Sequence, residues 1–259
     1  MVPFLYFFYD HPDLFGVVVS PEARVVLAHG TSLFVIMPTS VRGALAYHRA
    51  GLVAWRAVWP IAATSVFAAL AGAQLAVLLP PEALKTAFGL LLLFSGARLL
   101  LRPRVPDAAQ SSRALRLSLP RTVSTGVLVG LLSALLGVGG GTVAIPLLIY
   151  LVGLDIRQVA ATSIGIIGLT AAAGTLGYVL SGLGQPGLPP GSLGYVHVTA
   201  GLAMFLGALV SVRWGAVLNE RLQPRTLSYL FGGFFILIGL RLVGGNLIAL
   251  VRDAVLVAG

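Results

Sequence analysis

The sequence predicts an all-α, polytopic integral membrane protein made of two internal repeats, with about seven membrane segments. Three observations carry that expectation. Apolar residues make up 58% of the 259 residues and charged ones 10%, with a mean hydropathy of +0.97. That balance leaves too little polar surface for a water-soluble domain of this length. Charge-free or nearly charge-free runs at residues 25–41, 57–81, 86–97, 122–154, 158–212 and 226–240 cover most of the chain, and a helical span needs roughly 20 apolar residues. Finally, the two halves match one another position by position.

The elements follow in order. Residues 2–9 are a short apolar run with no basic residue before it and no small-residue cleavage site after it, so they do not read as a signal peptide. An acidic loop with Asp10, Asp13 and Glu22 leads into the first long span, which carries Gly30-Thr31-Ser32 and Thr39-Ser40 and ends at Arg42. Two further apolar runs reach Ala97. Residues 102–121 hold Arg102, Arg104, Arg113, Arg116 and Arg121 against Asp107 alone, which marks a cytoplasmic linker by the positive-inside rule. The expected division is a first repeat at 1–101, that linker at 102–121, and a second repeat at 122–259.

The seventeen basic residues are all arginine except Lys85, and they set a net charge of +9. Anchoring at the cytoplasmic face accounts for most of it, and a small anionic substrate would draw on the rest. The absence of cysteine excludes disulfides, thiolate metal sites and cysteine nucleophiles. His11, His29, His48 and His197 show no metal-ligand spacing, and no span contains a carboxylate or a histidine pair. The chain therefore reads as no enzyme, with no cofactor and no metal. Its partners are a small anion and the lipid bilayer, with a homo-oligomer open and no nucleic acid, since the arginines gather at membrane faces without a folded domain beside them.

At an offset of 143, Pro3 meets Pro146, Pro81 meets Pro224, Phe88-Gly89 meets Phe231-Gly232, Gly96 meets Gly239 and Arg98 meets Arg241. Between these blocks an offset of 131 pairs Thr31-Ser32 with Thr162-Ser163, Thr39 with Thr170, Gly43 with Gly174, Tyr47 with Tyr178 and Gly51 with Gly182. The twelve-residue change is the longer loop at 10–22 in the first half. Internal repeats of this length are how many secondary transporters are built. The first half holds no counterpart to residues 122–145, and two explanations stay open: a start set too late, or a copy dispensed with.

That unmatched segment contains Gly137-Val-Gly-Gly-Gly141 in the middle of a charge-free stretch. Glycine weakens a helix and bares its backbone, which membrane depth tolerates only where protein or a water-filled cavity covers it. Residues 122–136 and 142–154 are each too short to cross alone, while an unbroken helix of 33 residues would extend about 50 Å. The segment is either one long tilted helix or a re-entrant pair of half-helices. If it crosses, eleven basic residues share the linker's side and six lie opposite; if it re-enters, thirteen lie with the linker and only Arg24, Lys85, Arg241 and Arg252 opposite. The second division obeys the positive-inside rule better, and it inverts one repeat relative to the other.

In that arrangement a half-helix begins at Thr142 with its amides and positive dipole end facing the site, which suits an anion. The expected substrate-binding set is Gly137, Gly139, Gly140, Gly141 and Thr142, faced by Thr31, Ser32, Thr39 and Ser40 and their echoes Thr162, Ser163 and Thr170. Hydroxyls can donate to sulfonate or carboxylate oxygens without a full charge that would hold the ion too tightly. They also commonly satisfy carbonyls of their own helix, and both roles stay open here. His29, within a turn of Thr31-Ser32, is either a packing residue or one that titrates during transport. Arg42 either snorkels to the interface or lures anions inward. Tyr47, Trp55, Trp59, Tyr195 and Trp214 read as an interfacial aromatic belt.

The run Gly126-Val-Leu-Val-Gly130-Leu-Leu-Ser133-Ala-Leu-Leu-Gly137-Val-Gly139-Gly140-Gly141, then Pro146-Leu-Leu and Ala160-Ala-Thr162-Ser163, closely resembles the TauE/SafE sulfite exporter family of membrane permeases. Gly30-Thr-Ser-Leu-Phe-Val-Ile, Gly43 and Gly51-Leu-Val-Ala-Trp55-Arg56 extend the resemblance to the first half. It implies a permease for sulfur-containing anions such as sulfite, sulfonates or sulfoacetate-like compounds, in the cell membrane and without an ATP-binding domain. Against that family's pattern, the first repeat's glycine-rich segment is missing from this sequence. A non-transporting membrane scaffold is the alternative.

Overall fold

Long apolar runs without a charged face become helices because lipid offers the backbone no hydrogen-bond partner, and a helix satisfies its own. The computed structural model describes residues 1–101, 118–154, 156–221 and 224–258, and only the backbone of 142, 156, 157, 212–221, 224, 225, 227 and 246–258. The helices are α1 (Val2–Asp10), α2 (Pro12–Phe15), α3 (Ala23–Arg49), α4 (Trp55–Leu78), α5 (Pro81–Leu101), α6 (Leu119–Leu136), α7 (Gly141–Leu147), α8 (Ile156–Ser181), α9 (Val198–Arg221) and α10 (Pro224–Ala258), with a π-helical turn at Leu148–Val152. Strands β1 (Ser192–Leu193) and β2 (Val196–His197) form a small antiparallel hairpin before α9. Among the described residues six helices are long and apolar enough to cross a membrane: α3, α4, α5, α6, the Gln158–Ser181 part of α8, and the Ser228–Gly245 part of α10. α9 adds the shorter apolar stretch Val198–Ser211. The protein is thus an all-α, multi-pass membrane protein. The linker arginines at 102–116 lie outside the described residues, and the side chains of Trp214 and Arg252 outside the described side chains.

Contacts divide the described residues into two units, one drawn from Met1–Leu79 and Pro106–Leu206, the other from Pro80–Val105 and Gly207–Gly259. Each unit takes helices from both sequence repeats. In lipid, helices gain little by hiding apolar surface from each other, so they associate where small residues let backbones approach.

In the first unit, α3 and α8 are antiparallel. A methyl added at Gly43 would meet Ile164 Cγ2 at 3.2 Å, and one at Gly174 would meet Leu33 Cδ1 at 2.8 Å. Gly43 and Gly174 are repeat mates, and so are Leu33 and Ile164. The two contacts are therefore one contact repeated about a pseudo-two-fold axis lying across the helices. α4 runs parallel to α6, where Gly72 backs onto the Leu131 carbonyl. It also runs parallel to α8, with Ala54 beside Thr162 and Ser65 beside Thr170.

The second unit repeats the logic. A methyl at Gly89 would sit 3.2 Å from the Gly239 carbonyl and one at Gly96 would sit 2.9 Å from that of Gly232, with the reciprocal contacts at 2.9 and 3.2 Å. These glycines are again repeat mates, so α5 and α10 cross antiparallel. Matched helices that run in opposite directions make the two repeats inverted.

The path of the glycine segment follows from the same directions. Because α6 and α8 both run parallel to α4, the chain between them must come back to the side it left. α7 and the π-helical turn do this, packed among α4, α6 and α8 in a buried apolar cluster of Ala57, Val58, Ile61, Val129, Ala144, Leu148, Val152, Leu154, Val159 and Ile166. The segment is re-entrant. Arg121 and Arg157, at the starts of α6 and α8, thereby share the side of Arg42, Arg49 and Arg56, while Arg24 sits at the opposite end of α3. Trp55 stacks on Trp59 at the basic end of α4 and donates to His48 Nδ1 at 3.0 Å. Tyr195 departs from the belt reading: it is buried, its amide donating to the Tyr178 carbonyl at 3.1 Å, because the hairpin folds back over the ends of α3 and α8.

Candidate functional site

The helix break is made by glycines in a conformation that side chains disfavour. α6 ends at Gly137 with φ +63°, and Gly139 and Gly140 follow at +73° and +78°. The break is held from three sides. Gly137 presses on His29 of α3, Gly140 on Val129 and Ser133 of α6, and a methyl on Gly139 would fall 2.9 Å from Ile36 Cγ2 and 3.2 Å from Ile167 Cγ2. Ile36 is the central residue of α3, and Ile167 its repeat mate near the centre of α8. Gly139 thus lies where the two repeats meet, midway along the helices that cross there.

The C-terminal carbonyls of α6 would be left without partners, and α3 and α8 supply donors. Tyr178 Oη donates to the Ala134 carbonyl at 2.8 Å, and Ser32 Oγ donates to the Gly137 carbonyl at 2.8 Å. On the far side of the break, Val143 and Ala144 return their amides to the Gly140 carbonyl at 3.0 and 2.7 Å. The amides of Val138, Gly139 and Gly140 meet no backbone carbonyl among the described residues. Ser133 Oγ is buried and has no partner among them either. A buried hydroxyl left so costs about 1–3 kcal/mol until an acceptor arrives.

The expected hydroxyls divide into groups. Ser32 reaches the break. Thr31 and Thr162 hold helix starts: the His197 amide donates to Thr31 Oγ1 at 2.9 Å, and the Ala54 amide donates to Thr162 Oγ1 at 3.1 Å. Ala54 and His197 are themselves repeat mates, so each threonine caps the helix that begins in the other repeat. Thr39, Ser40 and Ser163 bond carbonyls of their own helices, Thr39 to Val35 at 3.0 Å, Ser40 to Ile36 at 2.6 Å and Ser163 to Ala160 at 2.8 Å. Thr170 bonds Ile166 and also Ser65 Oγ at 2.7 Å. Gly141 touches Ile167 from the start of α7, and the side chain of Thr142 lies outside the described side chains. Arg42 is exposed near the basic end of α3.

Sequence reasoning missed four contributors: Tyr6, Tyr178, Ser65 and Ser133. Tyr6 Oη and His29 Nε2 are 2.5 Å apart, and Tyr9 Oη lies 3.2 Å from His197 Nδ1. The signal was present as two tyrosines three residues apart in the otherwise apolar run 2–9, which puts both on one helix face.

Two inverted repeats, crossed at a broken re-entrant helix, are an architecture that many membrane transporters share. The chain belongs to the sulfite exporter TauE/SafE family, whose pattern matches residues 1–242. A probable membrane transporter protein of Haemophilus influenzae is 26% identical over 230 residues, covering 88% of this chain and 85% of the relative. One from Methanocaldococcus jannaschii is 27% identical over 241 residues, covering 93% and 85%. The probable membrane transporter protein YunE of Bacillus subtilis is 25% identical over 257 residues, covering 94% and 88%. No solved structure matches the chain.

Proposed function

We propose that the protein carries small sulfur-containing anions, sulfite and organic sulfonates, across the cell membrane as a secondary transporter or facilitator. The two repeats, 1–101 and 122–259 joined by 102–121, rock about the glycine break. The anion's oxygens take the amides of Val138–Thr142 and the hydroxyl of Ser133, Ser32 holds the Gly137 carbonyl at the end of α6, and the remaining expected hydroxyls, Thr31, Thr39, Ser40, Thr162, Ser163 and Thr170, hold the helices that frame it. One observation supports this reading most: Gly139 lies between the repeat mates Ile36 and Ile167, where inverted repeats meet at mid-depth, beside amides and a buried hydroxyl that lack acceptors. Neutral donors of this kind can replace an anion's hydration without trapping it.

Flux of [35S]sulfite into proteoliposomes tests the proposal. Saturable uptake is expected in the wild type, with loss in Gly140→Leu, whose side chain would crowd Val129 and Ser133 and displace the break. A folded wild type that moves neither sulfite nor methanesulfonate favours the scaffold reading instead.

A further inference from the structure

Two buried hydroxyls of α6 lack acceptors, and they lie on one line. The helix carries four hydroxyl side chains, Thr122, Ser124, Thr125 and Ser133. Thr122 donates to the Ser118 carbonyl at 3.2 Å and the Leu119 carbonyl at 3.0 Å, and Ser124 donates to the Arg121 carbonyl at 3.1 Å, the ordinary way for a helix to satisfy a hydroxyl. Thr125 Oγ1 and Ser133 Oγ have no hydrogen-bond partner among the described residues, although Thr125 is 0% exposed and Ser133 1%. Buried hydroxyls are seldom left so unless a ligand or water meets them.

Arg121, Thr125, Val129, Ser133 and Gly137 follow one another at intervals of four, so they form one ridge of the helix. That ridge meets the re-entrant arm at the break, where a methyl on Gly140 would lie 3.0 Å from Val129 Cγ1 and 3.3 Å from Ser133 Cβ. Thr125 stands about 12 Å from Ser133 along the axis, toward the basic end, and Arg121, exposed in the first turn, is one turn beyond it. In this conformation the arm covers the ridge, Val129 packing with Ala144, Leu148 and Val152 in the buried apolar cluster. Both ends of the arm are glycines of positive φ, Gly140 at +78° and Gly153 at +74°. Between them the hydrogen-bond register changes, because Pro146 brings no amide and a π-helical turn follows. Element ends of this kind are where a segment can swing without unwinding its neighbours.

We propose that Thr125 is a second binding step for the anion, on a route that follows the Arg121–Ser133 ridge of α6 and opens when the arm of α7 and the π-helical turn moves aside. The inference rests on the anion site at the break. Arg121 gathers the anion at the basic face, Thr125 Oγ1 donates to one of its oxygens on the way, and Ser133 with the amides of Val138–Thr142 receives it at the break. Val129 separates the two hydroxyls, so the ion is held at one or the other, and several modest sites in series let a bound ion leave again.

Flux of [14C]methanesulfonate in proteoliposomes reads the hydroxyl. Thr125→Val keeps the shape of the side chain and removes only the group without a partner, so its thermal midpoint should equal or exceed that of the wild type. The half-saturating concentration should rise about tenfold, the factor of one hydrogen bond to a charged group, and Thr125→Ser should restore it. A Val variant that saturates like the wild type overturns the inference, and so does a loss that Ser fails to rescue.

The route is read separately with Thr125→Cys, in a chain without other cysteines, and the anionic thiol reagent 2-sulfonatoethyl methanethiosulfonate. Modification during turnover, slowed by saturating methanesulfonate, is expected, against none at Val127→Cys on an exposed side of α6. A Cys variant that transports yet stays unmodified overturns the inference. If Gly140→Leu abolishes flux while the Thr125 variants behave as the wild type, the break keeps its anion and the route past Thr125 falls; a wild type that moves no anion overturns both.

Discussion

Alanine at Gly139 separates two costs that the structure superposes at one residue. The first is conformational: at φ +73° an L side chain crowds its own backbone, which costs about 1–2 kcal/mol. The second is steric: the new methyl would lie 2.9 and 3.1 Å from Ile36 Cγ2 and Cδ1, overpacking of a kind that costs about 1–3 kcal/mol. Gly139→Ala is therefore expected to destabilise by about 2–5 kcal/mol in total. Ile36→Ala removes the two nearest carbons and leaves the backbone strain and the 3.2 Å approach to Ile167 Cγ2, so in that background the same glycine change should cost about 1–3 kcal/mol. Reversible unfolding in mixed micelles, run on the wild type, both single variants and the double variant, yields the coupling energy directly. A coupling near zero, or a neutral Gly139→Ala, would refute the placement of the break against the centre of α3.

Three further outcomes are expected. Gly96→Val should loosen the crossing of α5 and α10, because its side chain meets the Gly232 carbonyl at 2.9 Å and the Ile236 backbone amide at 3.1 Å, neither of which can swing away; protease accessibility of that pair should rise, and unchanged protection contradicts the close approach. Thr162→Val removes the acceptor for the Ala54 amide and should cost about 0.5–2 kcal/mol in unfolding measurements, with Thr31→Val losing a similar amount at the His197 amide. A marked inequality between the two would break the pseudo-symmetry. Gln185→Cys, in a chain with no other cysteine, should react with an impermeant maleimide added outside intact cells, since Gln185 is exposed beyond the end of α8, and labelling from the cytoplasmic side alone would reverse the topology.

Much of the architecture was legible because lipid imposes simple rules on a sequence. Arginine placement at 42, 49, 56, 121 and 157 pointed to a re-entrant segment, and the parallel course of α4, α6 and α8 bears it out. The offsets of 143 and 131 predicted the repeats, and their mates now make matched contacts: Gly43 on Ile164 as Gly174 on Leu33, and Gly89 on Gly239 as Gly96 on Gly232. The site was only partly legible. Thr31-Ser32 stood out as a pair, but its members do different work one residue apart, because successive positions on a helix point about 100° from each other. Thr31 caps a helix start and Ser32 holds the Gly137 carbonyl.

From the order of residues alone came everything that one-dimensional patterns encode: apolar run length set the spans, basic clusters marked helix ends that share a side, and triple glycine set the place where a helix must break. Tertiary structure decided which groups meet there. Tyr6 and His29 are 23 residues apart in sequence, and Ser32 and Gly137 are 105 apart. No local periodicity records such pairs, since each hydrogen bond depends on the angle and depth at which two separately stable helices cross.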